Sequence, residues 1–270
     1  MYYQIGLNKE RYKGFGIGST FLEVNKRDTE RFQLLVAPEP EQRRIAEILS
    51  TVDEAIEQTE ALIAKYQQIK AGLMHDLFTR GLTHDGHLRF THAQAPHLYR
   101  ESPLGWIPKE WEVGELRRWL SYLSYGFTNP MPESDEGPYM VTAADINVGR
   151  IQYDTCRRTT RDAFDQLLTQ KSRPKIGDVL LTKDGTLGRI AVVDRADVCI
   201  NQSVAVLRPA DTQHSQFIAV MLSAPMWQQV MLSDAGGSTI KHIYITVVDK
   251  MLVAWPSRAE ELEVTEPTTK

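Results

Sequence analysis

Residues 38–80 read PEPEQRRIAEILSTVDEAIEQTEALIAKYQQIKAGLMHDLFTR, and this stretch decides the fold. Pro40 suits the first turn of a helix, where a missing N–H costs nothing. Three glutamates near the start place negative charge at the positive end of the helix dipole, and no proline follows until Pro96. The stretch therefore predicts one long helix, roughly 57 Å from Pro40 to Leu77 at 1.5 Å per residue.

Apolar residues recur along this helix with heptad spacing, and Thr59 is the polar interruption. Heptads sustained beyond three repeats favour a coiled coil over an amphipathic helix that lies across its own domain. A helix with such a seam needs a second long helix beside it, and the sequence offers none. We therefore predict a spacer or dimerisation helix. The predicted helix-pairing residues are Ile45, Ile48, Val52, Ile56, Leu62, Ile63, Tyr66 and Ile69.

The composition is that of a globular protein, with 42% hydrophobic and 24% charged residues among 270. The sequence shows no membrane-length apolar run and no signal peptide. The two cysteines, Cys156 and Cys199, form no CxxC pair and fit a reducing cytoplasm, so we expect a cytoplasmic protein. Residues 100–258 carry eighteen basic and eighteen acidic residues. This balance argues against strong DNA binding by the domain alone.

A repeat links the two ends of the chain. Gly18-Ser19-Thr20 matches Gly237-Ser238-Thr239, and Leu34–Pro38 matches Met251–Pro256. Two short strands around a polar turn are predicted for 21–38. The predicted organisation is a remnant tail of a first domain (1–37), the long helix (38–80), a linker (81–101), a globular domain (102–258) and a disordered acidic tail (259–270).

The globular domain is predicted to be α/β or α+β with a mixed sheet. GDVLLT, GRIAVV and VCINQSVAVLRP read as strands, and KDGTLG between the first two reads as a glycine-rich hairpin. Thr160 is placed to cap a short helix. SQFIAVML and MWQQVML read as helices separated at Pro225, and residues 121–138 read as a loop.

No motif in the chain supports catalysis. KDGTLG lacks the Gly-Lys-Ser/Thr order of a P-loop. A nuclease reading of Asp178 and Lys183 lacks a second carboxylate, and Ser203 has no nucleophile elbow. The histidines of residues 75–97 lack metal-ligand spacing and are interpreted as solvated. KDGTLG itself is either a simple tight hairpin or a loop that presents Lys183 and Arg189 to a ligand.

The long helix resembles the central conserved region of the specificity subunits of type I restriction–modification enzymes. ESPLGWIPKEWEVGEL, KIGDVLLTKDGTLGRIAVV, CINQSVAVLRP and GGSTIKHIYITVVDKMLVAWP resemble that family's second target recognition domain. The resemblance implies target recognition domains held apart by antiparallel helices, each reading half of a split double-stranded DNA site. It implies no catalysis and no cofactor in this chain. It places S-adenosylmethionine, ATP and Mg in partner methyltransferase (modification) and restriction subunits.

This sequence departs from the family pattern, because the body of the first domain and the distal helix are missing. The resemblance therefore implies a half-subunit or a truncated product, and two copies would recreate a two-domain reader by pairing their helices as a homodimer. Base reading requires side chains that reach the grooves, so the predicted DNA contacts lie in loops. The candidates are Tyr125, Thr128, Lys183, Asp184, Thr186, Arg189, Ser238, Thr239 and Lys241.

Two other functions compete with a recognition subunit. One is an assembly or decoy half-subunit, which would occupy modification subunits without reading DNA. The other is an independent enzyme, which the lack of a catalytic set makes the weakest interpretation. Robust DNA methylation by the chain alone would support the enzyme.

Overall fold

The computed structural model describes residues 2–17, 23–233, 241–258 and 260–261. The chain divides into two compact units, Met1–Tyr66 and Gln67–Lys270. The fold is mixed α+β with one long helix, as the sequence predicts. No described helix is long and apolar enough to cross a membrane.

The first unit is helical in its described part. It contains α1 (Tyr2–Leu7), α2 (Lys9–Lys13), α3 (Lys26–Arg31) and the first part of α4 (Glu39–Thr79), which continues into the second unit. Of the two strands predicted for 21–38, the second is wrong, and the first lies partly outside the described residues. The polar turn between them is α3, because the Asn25 side chain accepts a hydrogen bond from the Asp28 backbone N–H and caps the helix. Leu34–Pro38 forms no strand.

The long helix α4 ends at Thr79, and Gly81 terminates it two residues later. Gly81 has φ +65°, and the backbone N–H groups of Arg80 and Gly81 both donate to the Asp76 carbonyl. A glycine in this left-handed conformation is a common helix terminator. Before its end, α4 buries Met74, Leu77 and Phe78 in the second unit. Leu77, near the end of the predicted helix, therefore packs in the domain core.

The second unit is built on several small sheets. Its strands are β1 (Tyr99–Ser102), β2 (Gly105–Pro108), β3 (Glu112–Glu115), β4 (Leu120–Tyr125), β5 (Glu133–Val141), β6 (Ile146–Asn147), β7 (Arg150–Ile151), β8 (Arg157–Thr159), β9 (Val179–Thr182), β10 (Ile190–Val192), β11 (Val198–Ile200), β12 (Val204–Pro209) and β13 (Leu252–Trp255). The helices are α5 (Arg161–Leu167), α6 (Ser215–Ser223), α7 (Pro225–Ser233) and α8 (Ile245–Lys250).

The main sheet has the order β10-β9-β12-β4 and is antiparallel. A second sheet, β11-β5-β8, pairs β11 parallel and β8 antiparallel to β5, so the domain is mixed as predicted. Both faces of β9 are buried: Leu181 packs with Phe78, α6 and α7, and Leu180 packs with β11. The third predicted strand is two strands, β11 and β12, and the predicted loop at 121–138 contains most of β4 and the start of β5.

Two stretches expected to be unstructured contribute to the packing of the second unit. In the predicted linker, Leu82 and Tyr99 are buried, and Tyr99 begins the β1–β2 hairpin. In the predicted acidic tail, Glu260 and Glu261 are 5% and 1% exposed. Glu260 accepts hydrogen bonds from Arg89, Trp111 and the backbone N–H of Leu82. The end of the domain thus closes on the segment that follows α4.

Candidate nucleic-acid interface

The 183–189 loop joins two paired strands, which confirms the predicted hairpin. Ile190 pairs with Leu181, and the N–H of Gly188 donates to the Thr182 carbonyl at 2.9 Å. Gly185 and Gly188 take positive φ values of +77° and +78°, which favour glycine. Thr186 lies exposed in the loop. This hairpin therefore carries four of the predicted DNA contacts: Lys183, Asp184, Thr186 and Arg189.

Lys183 and Asp184 interact with each other, and Asp184 also contacts His242 near the end of the domain. The Lys183 ammonium donates to the Asp184 carboxylate at 2.6 Å, and His242 Nδ1 contacts the other oxygen of the same carboxylate. Burial would raise the pKa of Asp184, but the hydrogen bonds from His242 and Lys183 outweigh it and hold that pKa below its ordinary value. The Asp184 carboxylate therefore holds both Lys183 and His242. His242 was not predicted, because its partner lies 58 positions away.

Tyr125 joins the same cluster from the end of β4. Its side chain is 40% exposed, and the ammonium nitrogens of Lys183 and Lys171 lie 5.3 and 5.8 Å from its ring centroid. Lys171 is exposed and its charge stays available to an anionic ligand, whereas the Lys183 charge is paired with the Asp184 carboxylate. Lys171 was also missed as a candidate contact. The sequence placed it beside a helix rather than beside a tyrosine.

The other predicted DNA contacts differ in how exposed their side chains are. Thr128 and Lys241 are exposed. Arg189 is partly buried and donates to the Ile146 carbonyl at 2.9 Å, so part of its guanidinium serves the fold. Ser238 and Thr239 lie outside the described residues, as do both Gly-Ser-Thr copies of the repeat.

Gly126 fixes the position of the Tyr125 loop. A Cβ at this residue would overlap the carbonyl oxygens of Ile200 and Asn201, because the loop runs directly against β11. The next residue, Phe127, forms a bridge to Asn201. We expect Gly126→Ala to displace the loop and to lower the free energy of unfolding by about 1–3 kcal/mol. Gly72→Ala is the control for loss of a glycine, because Gly72 lies within α4 without a positive φ and its Cβ would meet open space. Chemical denaturation of the three proteins measures the difference, and equal losses would contradict the close approach.

The predicted helix-pairing surface is uncovered. Its eight residues are between 44% and 62% exposed. Burial of such side chains stabilises a protein by about 1.5–3 kcal/mol each, so an uncovered row of eight is an unused source of binding energy. They occupy the a, d and e positions of the heptad, on one side of α4.

No described group of three or more His, Cys, Asp and Glu residues could hold a metal ion. Asp178, which was weighed as a nuclease carboxylate, instead binds Arg208 through two hydrogen bonds of 2.9 and 2.7 Å. Its carboxylate also accepts from the Lys175 backbone N–H at 2.7 Å. Asp178 is thus a structural residue.

Comparison with known proteins finds relatives along most of the chain. The family described as "Type I restriction modification DNA specificity domain" matches residues 1–68. The EcoBI specificity subunit of Escherichia coli is 24% identical over 91% of this chain and 52% of its own length. The MjaVIII specificity subunit of Methanocaldococcus jannaschii is 21% identical over 98% of this chain and 61% of its own length.

The chain is similar to the specificity subunits of type I restriction–modification systems. Solved structures agree in fold. The type I specificity subunit from M. genitalium has a TM-score of 0.53, 15% identity and coverage of 97% of this chain and 63% of that one. A chain from a study of type I system assembly has a TM-score of 0.53, 19% identity and coverage of 98% and 58%. The chain therefore spans between half and two thirds of the length of these proteins.

Proposed function

We propose that this chain is a DNA sequence-recognition subunit of a type I restriction–modification complex. It reads one half of a split double-stranded site and docks methyltransferase and restriction subunits. The observation that carries the proposal is one partly exposed cluster. In it, Lys183 lies over the Tyr125 ring, and His242 contacts Asp184 beside Lys183. Three separate chain segments meet there, and all of them present groups that suit a DNA groove.

Under this proposal, the chain itself catalyses no reaction. The names of the relatives describe specificity rather than methylation or cleavage. The partner subunits would bind S-adenosylmethionine, ATP and Mg²⁺. This subunit supplies position and sequence choice, in the cytoplasm where the partners and the DNA are.

The exposed side of α4 supports pairing with a second copy. In an antiparallel pair, a positions of one helix face d positions of the other. One register satisfies this rule along the whole seam. It sets Ile45 opposite Ile69, Ile48 opposite Tyr66, Val52 opposite Leu62 and Ala55 opposite Thr59. The Thr59 hydroxyl donates to the Ala55 carbonyl of its own helix at 2.7 Å, so a small central layer leaves no unpaired hydroxyl.

Selection of bound sequences from a random duplex library tests the recognition role. The full chain, assembled with type I modification subunits, is expected to enrich one sequence. Tyr125→Ala and Lys183→Ala should each weaken binding to that sequence by about 1–3 kcal/mol. Arg118→Ala is the control, because Arg118 pairs with Glu112 at 3.0 Å and is not among the predicted contacts.

The same selection separates the competing function. A complex that assembles but enriches no sequence would reject recognition and favour the assembly or decoy role. If both loop variants still enrich the same sequence as strongly as the wild type, the surface that reads DNA lies elsewhere on the domain.

A further inference from the structure

A group of two tyrosines and two arginines lies outside the predicted loops. We call it the arginine–tyrosine cluster: Tyr139, Tyr153, Arg158 and Arg195. Arg158 donates to the Tyr139 hydroxyl oxygen at 2.7 Å, and Arg195 donates to the same oxygen at 3.2 Å. The guanidinium carbons lie 4.3 and 5.5 Å from the Tyr139 ring centroid. Arg195 also lies 4.4 Å from the Tyr153 centroid. Two cations are therefore gathered around one phenol.

The two guanidinium groups repel each other at this separation. Their donor atoms share one acceptor oxygen and so lie no more than about 6 Å apart. Neither arginine forms a salt bridge within the described ranges. The neighbouring arginines differ, because Arg157 pairs with Glu133 at 2.5 Å and Arg161 with Asp197 at 2.9 Å. An anion between Arg158 and Arg195 would relieve the repulsion.

One of the two tyrosine hydroxyl groups of the cluster is free to donate to an anion. The nearby carboxylate of Asp194 already accepts a hydrogen bond from the Tyr153 hydroxyl. The Tyr139 hydroxyl oxygen accepts from both arginines, which leaves its own proton for donation to a further acceptor. Two guanidinium groups and one hydroxyl donor match the oxygens of a phosphate.

The cluster and the loop after Tyr125 both contact the β11 segment. Tyr139 pairs with Val198 at the start of β11, and Phe127 bridges Asn201 just after its end. These two points on one strand are three residues apart, or roughly 10 Å. Phosphates on one DNA strand follow each other about every 3.4 Å along the helix axis. A duplex that reaches the loops can therefore present a phosphate to the cluster.

We propose that Arg158 and Arg195, aligned by Tyr139, bind a backbone phosphate of the DNA whose bases the loops read. The proposal rests on the proposed function and adds a contact that sets orientation rather than sequence choice. Its ligand is a phosphodiester, which shares its chemistry with free phosphate.

The test compares Arg158→Gln/Arg195→Gln with the control Arg157→Gln/Arg161→Gln, which removes the same charge from ion-paired arginines. Binding of the full chain to a random-sequence duplex is measured from 50 to 200 mM KCl. One lost phosphate contact lowers the slope of log affinity against log salt by about 0.9. We expect that change, and an affinity loss on the order of tenfold at 50 mM, in the first variant only. Equal slopes in the two variants would overturn the proposal.

A second measurement uses inorganic phosphate as the probe. Millimolar phosphate should raise the Tm of the wild type and of the control more than that of Arg158→Gln/Arg195→Gln. A phosphate effect without a change in DNA slope would mark an anion site away from the DNA and reject the proposal. A wild type that binds neither probe would reject it as well. Sequence enrichment by the assembled complex would still stand in either case, so the two proposals fail separately.

Discussion

Glu260→Ala is expected to lower the free energy of unfolding of the second unit by about 3–5 kcal/mol. The Glu260 carboxylate is 6% exposed and accepts four hydrogen bonds. One oxygen binds Arg89 at 2.5 Å and the Leu82 N–H at 2.6 Å, and the other binds Trp111 Nε1 at 2.9 Å. Alanine would leave a guanidinium that is 11% exposed without its main counter-ion and two buried N–H groups without acceptors.

Two further variants separate charge from size. Glu260→Gln keeps an acceptor oxygen but loses the charge, so we expect a smaller loss of about 1.5–3 kcal/mol. Glu110→Ala removes the other carboxylate on Arg89, at 3.3 Å and 76% exposed, and should cost less than about 1 kcal/mol. All five tryptophans lie within residues 67–270, so fluorescence during urea unfolding follows this unit. A Glu260→Ala loss no larger than that of Glu110→Ala would show that the contacts contribute little.

Ile56→Glu with Ile63→Glu is expected to convert a dimer into a monomer. The two side chains are 50% and 52% exposed and lie in the middle of the proposed helix pair. A twofold interface would lose four isoleucines, or about 6 kcal/mol at the lower value for each, which weakens Kd more than ten-thousandfold. Light scattering measures the mass. Ser50→Glu with Ala64→Glu adds the same charge on the opposite face of the helix and should remain dimeric. A monomeric wild type would mean that α4 binds another subunit instead.

The direction of the pair can be measured with single cysteines. Val52→Cys in one chain and Leu62→Cys in a second, size-tagged chain should form a mixed disulfide if the helices are antiparallel. A parallel pair would instead link each variant to its own copy. The native thiols do not interfere, because burial raises the pKa of Cys156 and Cys199 to about 12 and keeps both protonated.

The sequence was most informative where the pattern was long or the signal local. The heptads predicted α4 (Glu39–Thr79) nearly to the residue, and Thr160 caps α5 through the Ala163 N–H as expected. Local signals also misled. The apolar residues around the 21–38 turn suggested strands, but the Asn25 cap made the turn a helix. Glycines and prolines near β4 suggested a loop, although cross-strand pairing with β12 makes it a strand.

The parts of the candidate site that the sequence could not predict depend on distant partners. Lys183 and Tyr125 were chosen because they lie in loops, and the fold brings them together. His242 and Lys171 were missed, because the sequence around them does not indicate that they contact Asp184 and Tyr125. Glu260 looked like part of a solvated acidic run, since its three partners lie 149 to 178 positions earlier. Composition describes a segment, but long-range pairing decides whether it is buried.

The closure by Glu260 also has a consequence for synthesis on the ribosome. Arg89, Trp111 and the Leu82 N–H emerge early, yet their acceptor is made some 150 to 180 residues later. At about 5–20 residues per second, these groups wait on the order of ten seconds or more for it. Pairing over such separations also slows folding, because a long loop must close first. The nascent domain therefore completes its fold only when its last segment has left the exit tunnel.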